Sequence, residues 1–576
     1  MLRLAVIACL LGLASSLPLS STEWYRNAVV YQIYPRSFKD SNGDGIGDLN
    51  GITSKLEHIA DLGATALWLS PIYTSPQVDF GYDIANFTDI DPDYGTLRDF
   101  DRLVAKAKSL GLKVMLDFVP NHSSHQHPWF KKSALRIKPY DEYYIWRDAK
   151  IVNGTRRPPN NWLSTFQGSA WEWSDVRRQY YLHQFAAGQP DFNYRSQALN
   201  QEMKNVLTFW MDRGVDGFRI DAINHMFEDV RSLDEPKANR TDLPADDYDT
   251  LVHIYTRDQH ETYETLRSWR KLMDDYSNRT KSDAKFLITE AYTTHDFTIK
   301  YYNFGSVPFN FMFISNLDAK SSAADFKNQI EKWLYSVPGP RNVANWVVGN
   351  HDNHRVATRF GRRRADQITM LSMMLPGISV VYNGDEIGME DRNFTYYETV
   401  DPAGCNAGPA RYFLKSRDPE RTPYQWDNTT SAGFSNRLFT WLPVHSNYRT
   451  LNLAAQKQAA TSHYRVFKAL VALKKKPVLA VGSFQVSLVT DKVLAVVRRL
   501  GSAVAVLLIN FSDAPVTVNA RSKLNLPAEL AVNIASVGSN LWPGSRVNPV
   551  NLSLPAAASV VYTNPSLIWQ RDGMSY

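Results

Sequence analysis

Cysteine is almost missing from this chain. Of 576 residues only Cys9 and Cys405 are cysteines, so a disulfide framework is excluded and the fold must be held by its core. Long hydrophobic runs are missing as well. After the first few residues, no stretch offers the 18 or so uninterrupted apolar residues that a membrane-spanning helix needs. Charge of one sign is not in excess either: 64 Lys and Arg face 58 Asp and Glu, a net charge of +6. The short cluster Arg362-Arg363-Arg364 reads as a solvated helix start, so no nucleic-acid partner is expected. There is no internal repeat and no low-complexity tract, which removes solenoids and compositionally biased tails.

What is present is enough apolar material for a large core, with 44% hydrophobic and 12% aromatic residues. The chain is longer than one ordinary domain. At its start Arg3 precedes an apolar run over residues 4–13 and the small residues Ala14-Ser15-Ser16. That run is too short to span a bilayer and reads as a cleaved secretory signal over residues 1–21. Cys9 lies in it, which leaves one thiol in the mature chain. A secreted, extracellular protein is therefore expected, in keeping with Asn-x-Ser/Thr sites at Asn86, Asn153, Asn239, Asn278, Asn393, Asn428, Asn510 and Asn551. Asn121 also matches but sits in a turn where a glycan would not fit. The tail 568–576 has no lipid-anchor signal.

Eight short apolar runs follow in order at 29–34, 66–70, 113–118, 215–220, 286–289, 309–314, 346–349 and 378–382. Most are continuous rather than alternating, as strands buried on both faces require. Helical periodicity lies between them, for example over 97–110 and 199–213. The pattern predicts an α/β protein, a (β/α)8 TIM barrel over 22–122 and 196–475. The Trp-, Tyr-, Pro- and Gly-rich stretch 123–195 reads as a subdomain inserted after the third strand. Short β-type runs between turn residues over 476–576 read as a C-terminal antiparallel β domain.

Acidic residues recur at the ends of the runs. Gly217-Phe218-Arg219-Ile220-Asp221 places Arg219 and Asp221 on one face of a strand, where the cation would keep the carboxylate ionised. Asp117, Glu290 and His351-Asp352 end other runs, and all fall on the carboxyl side of a barrel, where such enzymes place their chemistry. The loop 40–48 alternates oxygen donors with glycine. Asp40, Asn42, Asp44, the Ile46 carbonyl and Asp48 make a hard-cation set, so a structural Ca2+ is expected there.

These segments resemble the α-amylase family of glycoside hydrolases (family thirteen). Asp117-Phe-Val-Pro-Asn-His122, Gly217-Phe-Arg-Ile-Asp221, Glu290 and Asn350-His-Asp352 look like its four signature segments. Gln189-Pro-Asp-Phe-Asn193 resembles the marker of the oligo-1,6-glucosidase and α-glucosidase branch, and residues 30–48 are similar to insect maltases. The resemblance implies Asp221 as nucleophile, Glu290 as acid/base and Asp352 as stabiliser of the transition state. Retention at an acetal carbon needs two carboxyls about 5–5.5 Å apart, one ionised and one protonated. The apolar approach Phe286-Leu-Ile is expected to raise Glu290, and Arg219 to keep Asp221 an anion.

His122 and His351 are expected to contact sugar hydroxyls. Asp79 and Tyr82 resemble residues closing the pocket around a terminal glucose, with Arg421, in preference to Arg417, expected to pair with Asp79. Ala222 stands where α-1,6-specific members tend to carry valine, which points to α-1,4 linkages or sucrose. The implied function is a secreted retaining exo-α-glucosidase acting on maltose, sucrose and short oligosaccharides, without an organic cofactor. Two alternatives stay open: a transglucosylase or sucrose isomerase on the same site, and a non-enzymatic protein on this fold, such as a transporter subunit or surface receptor. Oligomeric state leaves no signal in the sequence.

Overall fold

The computed structural model describes residues 23–567; the expected signal segment 1–21 and the tail 568–576 lie outside the described residues. Eight strands, β1 (Val29–Ile33), β2 (Ala66–Leu69), β3 (Lys113–Phe118), β4 (Gly217–Ile220), β5 (Phe286–Thr289), β6 (Val307–Pro308), β7 (Asn345–Val347) and β8 (Ile378–Tyr382), form one sheet. Its order is β6-β5-β4-β3-β2-β1-β8-β7, and every pairing is parallel. This is a nearly closed eight-stranded barrel. β1, β2, β4, β5, β7 and β8 are buried along their whole length, which is why their sequences run apolar without alternation.

Most helices between strands bury one stripe, while Ala365–Met374, before β8, is buried all round. Helix α1 (Leu97–Ser109) starts at a reciprocal cap between Thr96 and Asp99, turns Phe100, Leu103, Val104 and Ala107 inward, and ends with Lys106 and Lys108 in its last turn. Helix α2 (Gln197–Asp212) starts where the Ser196 side chain accepts from the Leu199 amide. Both helices place the next strand's first residue at the bottom of the barrel and its acidic end at the top.

The sixth strand differs from expectation. It is Val307–Pro308, not 309–314, and Met312–Ser315 is one turn of helix. The apolar run 309–314 has no period to distinguish strand from helix, and Asn310 decides it locally: its side-chain oxygen accepts from the Met312 amide and turns the chain. The barrel seam between β6 and β7 is closed by a side chain. Buried Asn345 donates from Nδ2 to the Pro308 carbonyl at 2.6 Å and accepts from the Asn310 amide at 2.8 Å.

Within 123–195 a three-stranded antiparallel sheet, Trp146–Arg147, Gln179–Leu182 and Trp171–Ser174, encloses a small core of Ile145, Trp162, Ala170, Trp171, Tyr180 and Leu182. It is tied to the barrel mouth where the Phe192 amide donates to the Asn121 carbonyl at 2.9 Å. After residue 482 a six-stranded antiparallel sheet follows. Its strands alternate between two cores: Leu494, Val496, Leu507 and Ile509 join the barrel's core, while Val493, Val497, Val506 and Leu508 face a second one. This sheet also overturns one glycan expectation. Asn510 is wholly buried and donates from Nδ2 to the Ala514 and Pro555 carbonyls, so it has no room for a sugar. The other seven sites are exposed.

Because Asn345 satisfies two backbone groups at the open seam, Asn345→Ala should lower stability by about 1–3 kcal/mol. An unchanged urea midpoint with an unchanged slope would refute the seam's dependence on this amide.

Candidate active site

Asp221, Glu290 and Asp352 lie just past the carboxyl ends of β4, β5 and β7. Arg219, buried in β4, organises the first two. One of its terminal nitrogens contacts both Asp117 Oδ1, at 2.8 Å, and Asp221; the other contacts Glu290 Oε1 at 2.7 Å. Asp221 and Glu290 therefore sit at adjacent corners of one guanidinium. Immediately after Asp221 the chain turns through Ala222 at φ +44°, a conformation that disfavours bulky or β-branched residues. The turn aims the Ala222 amide at Glu290 Oε2, 2.9 Å away.

Burial pushes Glu290 up to about 8, with Arg219 opposing the shift and Asp221 and Asp352 adding to it. The expectation for Glu290 is met in direction. Asp221 does not remain a low-pKa anion: burial pushes it up to about 7, and Arg219 only limits the rise. The physical reason is that one cation is shared among three buried carboxylates, Asp117 at about 6 included. The order still places the proton on Glu290 first.

Asp352 stands in the opposite environment. Burial works against its charge, yet His351, Arg421 and Arg417, with Arg219 further off, hold it well below the ordinary carboxylate range. Arg421 Nη2 is 2.9 Å from Asp352 Oδ1 and Arg417 Nη1 is 3.3 Å from the same oxygen. The expected pairing of Arg421 with Asp79 is not what the chain forms. Arg417 Nη2 reaches Asp79 Oδ1 at 2.7 Å, while Arg421 is turned back, its Nε donating to the His351 carbonyl at 2.8 Å. Arg417 is aimed by buried Asp401, which accepts its backbone amide and its Nε. Asp401 escaped sequence reading, because nothing in Val400-Asp-Pro marks it as a partner of an arginine 16 residues away.

His351 and Tyr82 form one relay. Gln32 Nε2 lies 2.8 Å from His351 Nδ1, and with Nδ1 accepting, Nε2 carries the hydrogen towards the Tyr82 hydroxyl at 2.5 Å. Tyr82 in turn donates to Asp117 Oδ2 at 3.2 Å and stacks its ring on His351 with 5° between planes. His122 packs beneath Tyr82: its Nε2 is 3.2 Å from the Tyr82 carbonyl and 3.1 Å from Gln189 Nε2, and burial pushes it down to about 3, so the ring is neutral. Gln189 also donates to Asp79 Oδ2 at 3.1 Å. The segment Gln189-Pro-Asp-Phe-Asn193 thus supports the Asp79 end of the site.

In the loop 40–48 the oxygens accept from the chain itself. Asp40 accepts from the amides of Asn42, Gly43 and Gly45 and from the Ser435 hydroxyl. Asp44 accepts from the Ile46 amide, and Asp48 caps a helix through the Gly51 amide. Asn42 and Asp44 remain exposed. The donor set is all hard oxygen, the kind Ca2+ takes, but three amides and the Ser435 hydroxyl occupy the four lone pairs of Asp40, so an ion there would displace some of them.

Residues 32–482 match the family described as alpha amylase, catalytic domain. The chain belongs to the α-amylase family. It is 48% identical to Maltase 1 of Drosophila virilis over 540 residues, covering 92% of this chain and 85% of that one. To the salivary alpha-glucosidase of Anopheles gambiae it is 46% identical over 539 residues, covering 91% of each. Among solved structures, the alpha-glucosyl transfer enzyme XgtA is 35% identical with a TM-score of 0.81, over 94% of this chain and 99% of that one. The trehalulose synthase MutB from Pseudomonas mesoacidophila is 31% identical with a TM-score of 0.80, over 94% and 99%. No helix among the described residues is long and apolar enough to cross a membrane.

Glu290 provides a stability test of this site. Its folded value of about 8 lies above the roughly 4.3 of an unfolded glutamate. The folded state therefore binds the extra proton, and this group's contribution is lost as pH rises from about 4 to about 8. Glu290→Gln removes that loss, so the variant should gain on the wild type in urea melts as pH rises across that window. A stability difference independent of pH would contradict the assignment.

Proposed function

We propose that this chain is a secreted, retaining exo-α-glucosidase of the maltase or sucrase type. It belongs among enzymes that hydrolyse α-glucosides, and the finer reading rests on the close setting of Asp221 and Glu290 around Arg219 with the proton preferring Glu290.

The mechanism follows from these environments. Asp221, deprotonated, attacks the anomeric carbon from one side and the bond to the leaving oxygen breaks. Glu290 gives its proton to that oxygen, so a neutral alcohol departs and a glucosyl ester on Asp221 remains. Glu290, now a base, removes a proton from water as it attacks the same carbon. The ester bond breaks, Asp221 is released, and two inversions return the α-anomer. As the ester forms, Asp221 loses its charge and the ring gains positive character. Asp352, held anionic by two arginines, stabilises that ring charge.

Exo action rests on Asp79 and Arg417. Their ion pair, joined to Asp352 through Arg417 Nη1, walls off one end of the site, and a charged pair there can grip the hydroxyls of a terminal glucose. Ala222, in a left-handed turn, leaves space beside the nucleophile and supports the α-1,4 or sucrose preference. The salivary relative supports secretion, as does the leader-like start. A transglucosylase or sucrose-isomerase reading uses the same ester with a sugar in place of water, and the glucosyl-transfer and trehalulose-synthase neighbours favour keeping it as the second reading.

Two expectations test the proposal. With an aryl α-glucoside, proton NMR should show α-glucose released first, and Asp221→Asn or Glu290→Gln should each cut kcat by several orders of magnitude. Initial β-glucose, or near-normal turnover in either variant, would refute the roles. We also propose a structural Ca2+ on Asp40, Asn42, Asp44, the Ile46 carbonyl and Asp48. Chelation should then lower Tm, and re-addition of Ca2+ should restore it; a melting curve indifferent to chelator would discard the ion.

A further inference from the structure

Two residues beyond Asp352, a second cluster of ionisable groups lies outside the carboxylate site. His354 Nδ1 is 2.7 Å from Asp391 Oδ2 and 3.4 Å from Glu420 Oε2, and the three atoms lie within 4.8 Å of one another. Glu420 is 1% exposed, yet its Oε2 receives no hydrogen bond, whereas Asp391 Oδ2 is met by the His354 ring alone, at 2.7 Å. A buried carboxylate oxygen left without a donor is costly. The other oxygen of Asp391 is satisfied by the Arg355 amide at 2.9 Å, which fixes the carboxylate with Oδ2 towards His354.

We propose that His354 Nδ1, Asp391 Oδ2 and Glu420 Oε2 form a binding site for a divalent transition-metal ion, Zn2+ being the ion this donor set fits. One imidazole nitrogen and two carboxylate oxygens are a common zinc combination. With bonds of about 2.0–2.2 Å in a tetrahedron, ligand atoms stand roughly 3.3 Å apart. The His354–Glu420 separation already matches. The His354–Asp391 contact must open by about half an ångström, and the His354 side chain, 49% exposed, is free to give it. That exposure also leaves a fourth position for water. Among the three ligands by themselves, two carboxylates with a protonated histidine leave a net −1, whereas two carboxylates, a neutral ring and Zn2+ sum to zero. Arg359 and Arg421 add positive charge near the same carboxylates, but neither donates to Asp391 Oδ2 or Glu420 Oε2.

The position gives the ion a consequence. His354 is on the loop that carries Asp352, and Glu420 precedes Arg421 in the segment that also carries Arg417. A bound ion would pin these two segments together behind the site, making the ligands positioning residues rather than catalytic ones.

Isothermal titration of ZnCl2 into tag-free, full-length protein, chelated and then returned to Ca2+, tests the proposal. The wild type should take up one equivalent with a rise in Tm. His354→Ala, an exposed position whose folding is checked by circular dichroism, should weaken binding at least tenfold, and Glu420→Gln likewise. Co2+ added to the wild type alone should give the visible absorption of a low-coordinate site with a nitrogen ligand, a result that depends on no variant. Failure of the wild type to take up Zn2+, absence of that Co2+ absorption, or a folded His354→Ala that binds as the wild type does would each overturn the proposal and leave the cluster a histidine–carboxylate ion pair.

Discussion

Everything at the barrel mouth depends on one guanidinium shared by three carboxylates. Arg219 is buried, and its contacts with Asp117, Asp221 and Glu290 come from three consecutive strands of the barrel. A buried cation with no partner, or three buried carboxylates with no cation, would each be strongly disfavoured. The shortage of positive charge is what leaves a proton in the site near neutrality. Were each acid matched by its own arginine, all would be ionised and none could act as an acid.

Asp352 illustrates the contrast. It is only partly buried, and Arg417 and Arg421 meet it from outside the barrel sheet, so it stays charged where Glu290 does not. The same two arginines bind different things with their remaining groups, Arg417 reaching Asp79 and Arg421 the His351 carbonyl. The site thus has an interior half, held by Arg219 and short of charge, and an outer half rich in it. The bond-breaking roles proposed for Glu290 and Asp352 follow from that division.

Much of this is legible in the residues alone. Seven of the eight strands could be placed because burial on both faces makes their sequences continuously apolar, and the acids fell at strand ends as the barrel requires. The sixth strand is not legible there, because Phe309-Asn-Phe-Met-Phe-Ile314 carries no period and a single Asn side chain turns it. Which of Arg417 and Arg421, four residues apart, faces Asp79 is not legible in the sequence either. Only the fold brings Asp401 against Arg417 and so aims it. Local spacing also suggested that Arg219 belonged to Asp221, whereas tertiary contacts divide it among three acids. Those contacts join residues some 70 to 100 positions apart, beyond any local pattern.

The central claim, a proton retained on Glu290 by sharing Arg219, is tested most directly by infrared difference spectroscopy on the free enzyme. Near pH 7.5 the wild type should show the carbonyl stretch of a protonated carboxyl group, and Glu290→Gln should lose it. A band that survives in Glu290→Gln and disappears in Asp221→Asn would place the proton on the wrong acid and contradict the account.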